Sequence, residues 1–137
     1  MEDEIKLSAL ITDPKKASFI SPLQITLNYC DLQLIDRVPN RFLSITKLFL
    51  SHNKISNLSG IEQFKSLTHL SIGYNQIEDY RELNKIYNKE NLKYLTIQGN
   101  PLENHPNHKI LILEIFPNLE KMDDLIIDKK FRVLIEK

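Results

Sequence analysis

Apolar residues recur along the chain in one short pattern, in which they alternate with polar residues and are followed by an asparagine. In its clearest copy the pattern runs through Leu67, Leu70, Ile72, Asn75 and Ile77. Leu70 and Ile72 are two residues apart, which is the spacing of side chains on one face of a β-strand. The pattern therefore predicts a short strand that ends in a turn at Asn75.

The pattern occurs four times, so the chain is organised as internal repeats. The copies begin at Pro22, Ile45, Leu67 and Leu92, which are 23, 22 and 25 residues apart. Repeats at this interval are typical of solenoids, in which each unit buries its apolar face against the next one. We therefore expect four stacked repeats with one continuous core.

Asparagine occupies the turn position in three of the copies, at Asn53, Asn75 and Asn100. These residues should stack as a ladder whose amides bond to backbone groups that would otherwise be buried unpaired, at about 1–3 kcal/mol per group. Cys30 takes this place in the first copy. We expect it to be a buried structural residue, because a reactive thiol needs a cationic neighbourhood.

After the turn position, the apolar spacing changes from two residues to three. Side chains three residues apart eclipse one another in 3₁₀ turns. The second copy shows this spacing at Ile55, Leu58, Ile61 and Phe64, and the first copy at Leu32, Ile35 and Val38. We therefore expect tight helical turns to connect each strand to the next.

The third copy is three residues longer than the second, and its connecting segment has the pattern of a short α-helix. Asp79 is a candidate N-cap for this helix. Leu83, Ile86 and Tyr87 would form the stripe that faces the core.

Both ends of the chain carry segments that should cover the open ends of the stack. At the C-terminal end, Asn107 is a candidate N-cap for a helix that contains Ile110, Leu111, Leu113, Glu114 and Ile115 and stops before Pro117. Residues 116–123 then begin another strand pattern without completing it. A closing helix is expected over residues 128–137, with an inward face made by Phe131, Leu134 and Ile135.

The N-terminal segment fits two structures. Its apolar positions alternate like a strand at Ile5, Leu7, Ala9 and Ile11, and fit a helix face equally well at Leu7, Leu10 and Ile11. Asp13 and Pro14 are typical of an N-cap and first helical position, opening a turn that runs to Ile20. The predicted organisation is an N-terminal cap over 1–21, four repeats over 22–102 and a C-terminal cap over 103–137.

Composition narrows the classes of partner. The 137 residues are enough for one domain with its own core. Lys and Arg total 18 and Asp and Glu total 18, so the formal net charge is zero. This balance argues against a chain whose main partner is nucleic acid or an anionic membrane.

The sequence also bears on location. A single cysteine cannot form an internal disulfide, which favours a reducing compartment. The acidic N-terminus lacks the apolar segment of a signal peptide, and the apolar residues 110–115 are too few to span a membrane. We expect a cytoplasmic protein, with a nuclear location as the weaker alternative.

The four copies resemble the leucine-rich repeats of about 22 residues found in regulators of protein phosphatase 1. Residues 100–102, 116–119 and 122–123 resemble the cap motif that closes this class. The same cap occurs in a leucine-rich spliceosomal subunit, acidic nuclear phosphoproteins, tubulin-folding cofactors and many ciliary and centrosomal proteins. The resemblance covers residues 22–127. It implies an α/β solenoid with a parallel β-sheet on its concave face, 3₁₀ or short α-helices on its convex face and a helical C-terminal cap.

In such a solenoid, the residues between the core positions of each strand point outward from the concave sheet. The sixteen outward positions are Gln24, Thr26, Asn28, Tyr29, Lys47, Phe49, Ser51, His52, His69, Ser71, Gly73, Tyr74, Tyr94, Thr96, Gln98 and Gly99. One of them is formally charged and six are aromatic or histidine, which is the composition of a protein interface. The alternative is that strand propensity alone places aromatic residues there. The residues predicted to bind a partner are Tyr29, Lys47, Phe49, His52, His69, Tyr74, Tyr94 and Gln98.

The sequence shows no catalytic or metal-binding constellation. His52 and His69 can lie near each other on adjacent strands, but no carboxylate or thiol belongs to the same outward set. His105 and His108 have no further ligands in their neighbourhood.

The acidic residues near the C-terminus do not change this conclusion. Asp123, Asp124 and Asp128 lack the spacing of a Ca²⁺ loop, and Asp123 is expected to cap backbone groups. We therefore expect a protein that is not an enzyme and needs no cofactor or metal.

The leading functional hypothesis is a module that binds a peptide or helix of another protein on its concave face. By analogy with the family, we expect it to be the leucine-rich-repeat domain of a cytoskeletal, centrosomal or ciliary scaffold. It would act as a monomer or as part of a larger chain or complex, without direct contact with nucleic acid or membrane. The alternatives are a ribonucleoprotein-assembly subunit similar to the leucine-rich spliceosomal protein, and a phosphatase regulator.

Overall fold

The structure, a computed structural model, describes residues 3–135 and contains one six-stranded sheet. Its strands follow one another in chain order: β1 (Gln24–Thr26), β2 (Lys47–Phe49), β3 (His69–Ser71), β4 (Tyr94–Thr96), β5 (Lys121–Met122) and β6 (Leu125–Ile126). The pairings from β1 to β5 are parallel, and β6 returns antiparallel to β5. The predicted solenoid with a parallel sheet is confirmed.

Short helices connect and flank these strands. The α-helices are α1 (Leu7–Ile11), α2 (His108–Ile115) and α3 (Lys129–Ile135). The 3₁₀ helices are Pro14–Phe19, Asn40–Phe42, Ile61–Gln63, Tyr80–Lys85 and Pro101–Asn104. In the described part of the chain, every helix is too short or too polar to cross a membrane.

The strand register shows why the repeats stack. The central core positions lie side by side across the sheet: Ile25, Leu48, Leu70, Leu95 and Met122. Each of them is at most 2% exposed, so every repeat covers the apolar face of its neighbour. The predicted alignment of the repeats is therefore correct.

The asparagine ladder is also confirmed. The Nδ2 atom of Asn75 donates to the Leu50 carbonyl of the preceding repeat and to the Ile72 carbonyl of its own repeat, both at 3.0 Å. Its Oδ1 accepts from the Ile55 amide at 3.0 Å. Asn53 and Asn100 repeat this arrangement one repeat earlier and one later.

Cys30 is half-buried rather than buried, which corrects the expectation for the first copy. Its Sγ contacts the Asn28 carbonyl at 3.3 Å, and its amide donates to the Asn53 Oδ1 at 2.9 Å. Because β1 is at the edge of the sheet, no preceding strand of the described chain covers this position.

The three-residue spacing was only partly a helical signal. All of the predicted apolar positions after Asn53 are buried, but the 3₁₀ helix is confined to Ile61–Gln63. The amides just after Asn53 and Asn75 bond to the neighbouring repeat instead of continuing a helical turn. The Lys54 amide, for example, donates to the Leu32 carbonyl at 2.8 Å.

The connecting segment of the third repeat is a 3₁₀ helix, Tyr80–Lys85, and not the predicted α-helix. Asp79 is its N-cap as expected, and its carboxylate accepts from the Arg81 amide at 2.9 Å. Leu83 and Ile86 are buried, but Tyr87 is 60% exposed. The helix ends at Ile86 in an extended conformation, which turns Tyr87 away from the core.

The N-terminal cap contains helix α1, which settles the two alternatives in favour of a helix for residues 7–11. Asp13 caps the following 3₁₀ helix as predicted, because its carboxylate accepts from the Lys15 amide at 3.0 Å. Lys6 forms a parallel bridge with Leu34, which attaches this cap to the first repeat.

The C-terminal cap differs from the prediction in three respects. Asn107 precedes α2, but among the described residues its side chain makes no capping hydrogen bond. Strand β6 was not predicted, because a two-residue strand is too short to give a period. The Arg132 guanidinium caps the end of α2 instead, donating to the carbonyls of Leu113, Phe116 and Leu119.

The closing helix α3 begins at Lys129, close to the predicted position. Phe131 packs partly buried against the core, as expected. The side chains of Leu134 and Ile135, and all of residues 136–137, lie outside the part of the chain that the structure describes.

Candidate partner-binding surface

The outward positions of the repeats form four rows that cross the concave sheet, and together we call them the concave surface. The first row is Gln24, Lys47, His69 and Tyr94, and the second is Thr26, Phe49, Ser71 and Thr96. The third row is Asn28, Ser51, Gly73 and Gln98. The fourth is Tyr29, His52, Tyr74 and Gly99.

The fourth row contains a column of stacked rings, which we call the aromatic column. The Tyr29 and His52 ring centroids are 4.3 Å apart, and those of His52 and Tyr74 are 4.5 Å apart. The rings are nearly parallel, with interplanar angles of 12° and 6°. All three residues have positive φ angles, between 53° and 58°. The same left-handed turn therefore points the side chains of successive repeats in the same direction.

Gly99 closes one end of the aromatic column. It occupies the fourth-row position of the last repeat, with a φ of +83°. A Cβ atom at this position would lie 2.4 Å from Cδ1 of Tyr74, so glycine makes room for the tyrosine ring. Tyr74 is consequently 47% exposed, whereas Tyr29 at the other end is 75% exposed.

The first row contains a second pair of stacked rings, together with Lys47, the one formally charged residue of the sixteen positions. The His69 and Tyr94 ring centroids are 4.4 Å apart, with an interplanar angle of 27°. Burial lowers the pKa of His69 below its usual value, and the positive charge of the neighbouring Lys47 lowers it further. The His69 Nδ1 also lies 2.8 Å from the Thr68 hydroxyl. This environment favours a neutral imidazole in the stack.

The middle of the concave surface is less accessible than the sequence suggested. Ser51 and Gly73, two of the sixteen outward positions, are buried. The Ser51 Oγ accepts from the Gly73 amide at 3.1 Å and shares a hydrogen bond with the Ser71 hydroxyl. These small polar groups satisfy one another, so the half-buried Phe49 and the rings at both margins supply the contact area.

The eight predicted binding residues all lie on this surface, in three separate groups. Tyr29, His52 and Tyr74 form the aromatic column, and His69 stacks on Tyr94 beside Lys47 in the first row. Phe49 and Gln98 lie between the two, in the second and third rows. Their role in binding stays a prediction.

His52 and His69 are not neighbours, which corrects the expectation that they can lie close together. His52 belongs to the fourth row and His69 to the first, at opposite ends of the strands. Across residues 3–135, no three His, Cys, Asp or Glu side chains are grouped so that they could hold a metal ion.

Two residues that adjoin the concave surface were not among the sixteen predicted outward positions. Lys121 of β5 lies beside Tyr94 and extends the first row. Asp123 accepts from the amides of Ile97 and Gln98 at 2.8 and 3.0 Å, which confirms its predicted capping role. The spacing of Leu119 and Met122, which repeats the start of each copy, is the signal that pointed to a fifth strand here.

A stacked solenoid with aromatic side chains on its concave sheet is typical of the repeat proteins that bind other proteins. The family described as Leucine Rich repeats (2 copies) matches residues 44–85. Residues 44–85 therefore match leucine-rich repeats, and the described chain has the fold of a leucine-rich-repeat solenoid. No catalytic family is indicated, and members of this class are generally non-enzymatic interaction modules.

Two curated relatives illustrate the range of proteins to which this chain is similar. Human serine/threonine-protein kinase 11-interacting protein is 34% identical over 85 residues, which are 62% of this chain and 8% of the relative. A histone of Tetrahymena thermophila is 32% identical over 112 residues, which are 78% of this chain and 28% of the relative. The chain therefore corresponds to a small part of each relative.

A solved structure has the same fold. A chain of the crystal structure of the Drosophila melanogaster SNF/U2A' complex matches with a TM-score of 0.66 and 24% identity. The match covers 82% of this chain and 66% of that one.

Proposed function

We propose that the concave surface binds a peptide or helix of a partner protein. The observation that carries this proposal is the aromatic column together with the His69–Tyr94 stack, which expose ring surface along both margins of one sheet. Interfaces use such rings as anchors because they bury a large area with few rotatable bonds. The small, satisfied polar groups between the margins leave room for a partner backbone.

The charge of the surface supports a protein partner over a nucleic acid. Lys47 and Lys121 are the cations of the first row. Recognition of a phosphate backbone needs several Lys or Arg side chains, and it makes affinity fall steeply with salt. The human relative, which by its name interacts with a protein kinase, gives further support.

We also propose a repeat class and a cellular setting for the protein. We assign the repeats to the 22-residue class on their spacing, with caps over 1–21 and 103–137. The setting that we favour is a cytoplasmic scaffold of the cytoskeleton, centrosome or cilium. Imaging of the tagged protein tests this setting, and a diffuse nuclear signal contradicts it.

A double variant, Phe49→Ala with Tyr94→Ala, tests the binding surface. Both side chains lie on the outer face of strands, so we expect loss of partner capture with little change in the unfolding midpoint. Purification of the tagged protein, with partners identified by mass spectrometry, provides the measurement. Tyr87→Ala is the matched control, because Tyr87 is an exposed tyrosine beneath the Lys65 ammonium, 4.9 Å from its ring centroid and outside the four rows.

The identity of the captured proteins separates the alternatives. Cytoskeletal or ciliary proteins support the proposed setting, whereas splicing factors favour the ribonucleoprotein-assembly alternative and contradict it. Undiminished capture by the double variant contradicts binding through the concave surface.

A further inference from the structure

The two ends of the aromatic column differ in a way that its repeat geometry does not require. At one end, the backbone of Gly99 covers Tyr74, because a Cβ there would lie 2.4 Å from the tyrosine ring. At the other end, one face of the Tyr29 ring stacks on His52. Tyr29 is nevertheless 75% exposed, so its second ring face is open to solvent. The column therefore offers one ring face onto which another planar group can stack.

A carboxylate two residues from Tyr29 along the chain favours a cationic group at this ring. Asp31 lies two residues further along the chain, and its carboxylate is 69% exposed. Its ion pair with Lys54, at 3.4 Å, is exposed on both sides and contributes little stability, so the carboxylate can accept another cation.

The N-terminal cap places one further carboxylate, Glu4, at the same end of the solenoid, together with the cation Lys6 of the bridge to Leu34. Glu4 is exposed and directly precedes Ile5, whose amide donates to the Gln33 Oε1 at 3.0 Å. The Gln33 amide in turn donates to the Ile5 carbonyl at 2.9 Å. Glu4 is thus held beside the first repeat, the one that carries Tyr29 and Asp31.

We infer that the open face of Tyr29 is a binding position for an arginine side chain of the partner protein. A guanidinium is planar and cationic, stacks on aromatic faces and donates to carboxylates in a fixed fork. A lysine ammonium can pair with a carboxylate at this position, but it has no planar face to stack on the Tyr29 ring. The inference rests on the proposed function in that the partner carries the arginine, but the position itself can be tested without the partner.

Titration of the full chain with acetyl-arginine amide, followed by NMR of the tyrosine rings, tests the position. Acetyl-lysine amide is the comparator of equal charge, and adenosine is the comparator that stacks without charge. We expect saturable shifts of the Tyr29 ring, with arginine binding about threefold tighter than lysine. We expect Asp31→Asn to weaken arginine binding and to leave any adenosine shift unchanged.

Two variants decide whether the shifts arise at this ring. Tyr29→Leu should abolish the arginine response, while Tyr87→Leu, which removes an exposed tyrosine elsewhere, should retain it. Urea unfolding of both variants establishes that they are folded. Equal binding of lysine, an arginine response that survives Tyr29→Leu, or tighter binding of adenosine overturns the inference. None of these results bears on whether Phe49 and Tyr94 capture a partner, so the two proposals fail independently.

Discussion

The asparagine ladder and the aromatic column are built in the same way but differ in how far their side chains are buried. Each takes one side chain from three successive repeats and stacks these side chains at the strand spacing. Asn75 of the ladder is 6% exposed, whereas Tyr74, the preceding residue, is 47% exposed and belongs to the column. Buried amides complete the hydrogen bonds of the turns, while exposed rings leave contact surface free. One repeat thus supplies stability and exposed ring surface from adjacent residues.

Among the substitutions that test this comparison, Asn75→Ala should lower the free energy of unfolding most. It leaves the buried Ile55 amide without its acceptor. It also removes one of the two side-chain amides that donate to each of the Leu50 and Ile72 carbonyls, which keep Asn53 and Asn100 as donors. We expect the free energy of unfolding to fall by about 2–4 kcal/mol. Tyr74→Ala is the matched control and should cost less than about 1 kcal/mol, as is usual at exposed positions. Equal losses in urea unfolding would mean that the two stacks do not differ in role.

A smaller effect is expected from Gly99→Ala, which disturbs the closed end of the column. Alanine is strained at a φ of +83°, and its Cβ would overlap the Tyr74 ring, so we expect a loss of about 1–2 kcal/mol. The ring resonances of Tyr74 should shift as the side chain leaves the stack.

Combining Gly99→Ala with Tyr74→Ala separates the two causes of this loss. If overlap contributes, the double variant should recover part of the stability that Gly99→Ala loses. Strict additivity of the two losses would show that backbone strain alone is responsible.

The smallest effect concerns pH and the His69–Tyr94 stack. The pKa of His69 is lower in the folded protein than in the unfolded chain, so the unfolded chain binds the proton more tightly. The contribution of His69 to the free energy of unfolding should therefore be fully present above about pH 6.5. It should be lost as the pH drops through the folded-state pKa of His69. The dependence should weaken in His69→Gln, measured as the difference in urea unfolding between about pH 7.5 and about pH 5. An unchanged difference would assign the effect to other groups.

Much of the fold was predictable because it depends on local spacing. The interval between copies fixed which residues align, and Leu48, Leu70 and Leu95 lie side by side as expected. Errors arose where spacing was ambiguous or a segment was short. A three-residue period fits both a 3₁₀ turn and an extended segment bonded to its neighbour, and the two-residue strand β6 has no period at all.

The sequence by itself determined the repeats, the ladder and the set of residues that face outward, because a periodic chain can bury its apolar positions in essentially one way. Tertiary structure decided how those outward residues meet. Ring stacking of Tyr29, His52 and Tyr74, separation of the two histidines and burial of Ser51 depend on where successive left-handed turns bring their side chains. That geometry is set between repeats, across more than twenty positions of sequence, where no local pattern carries it.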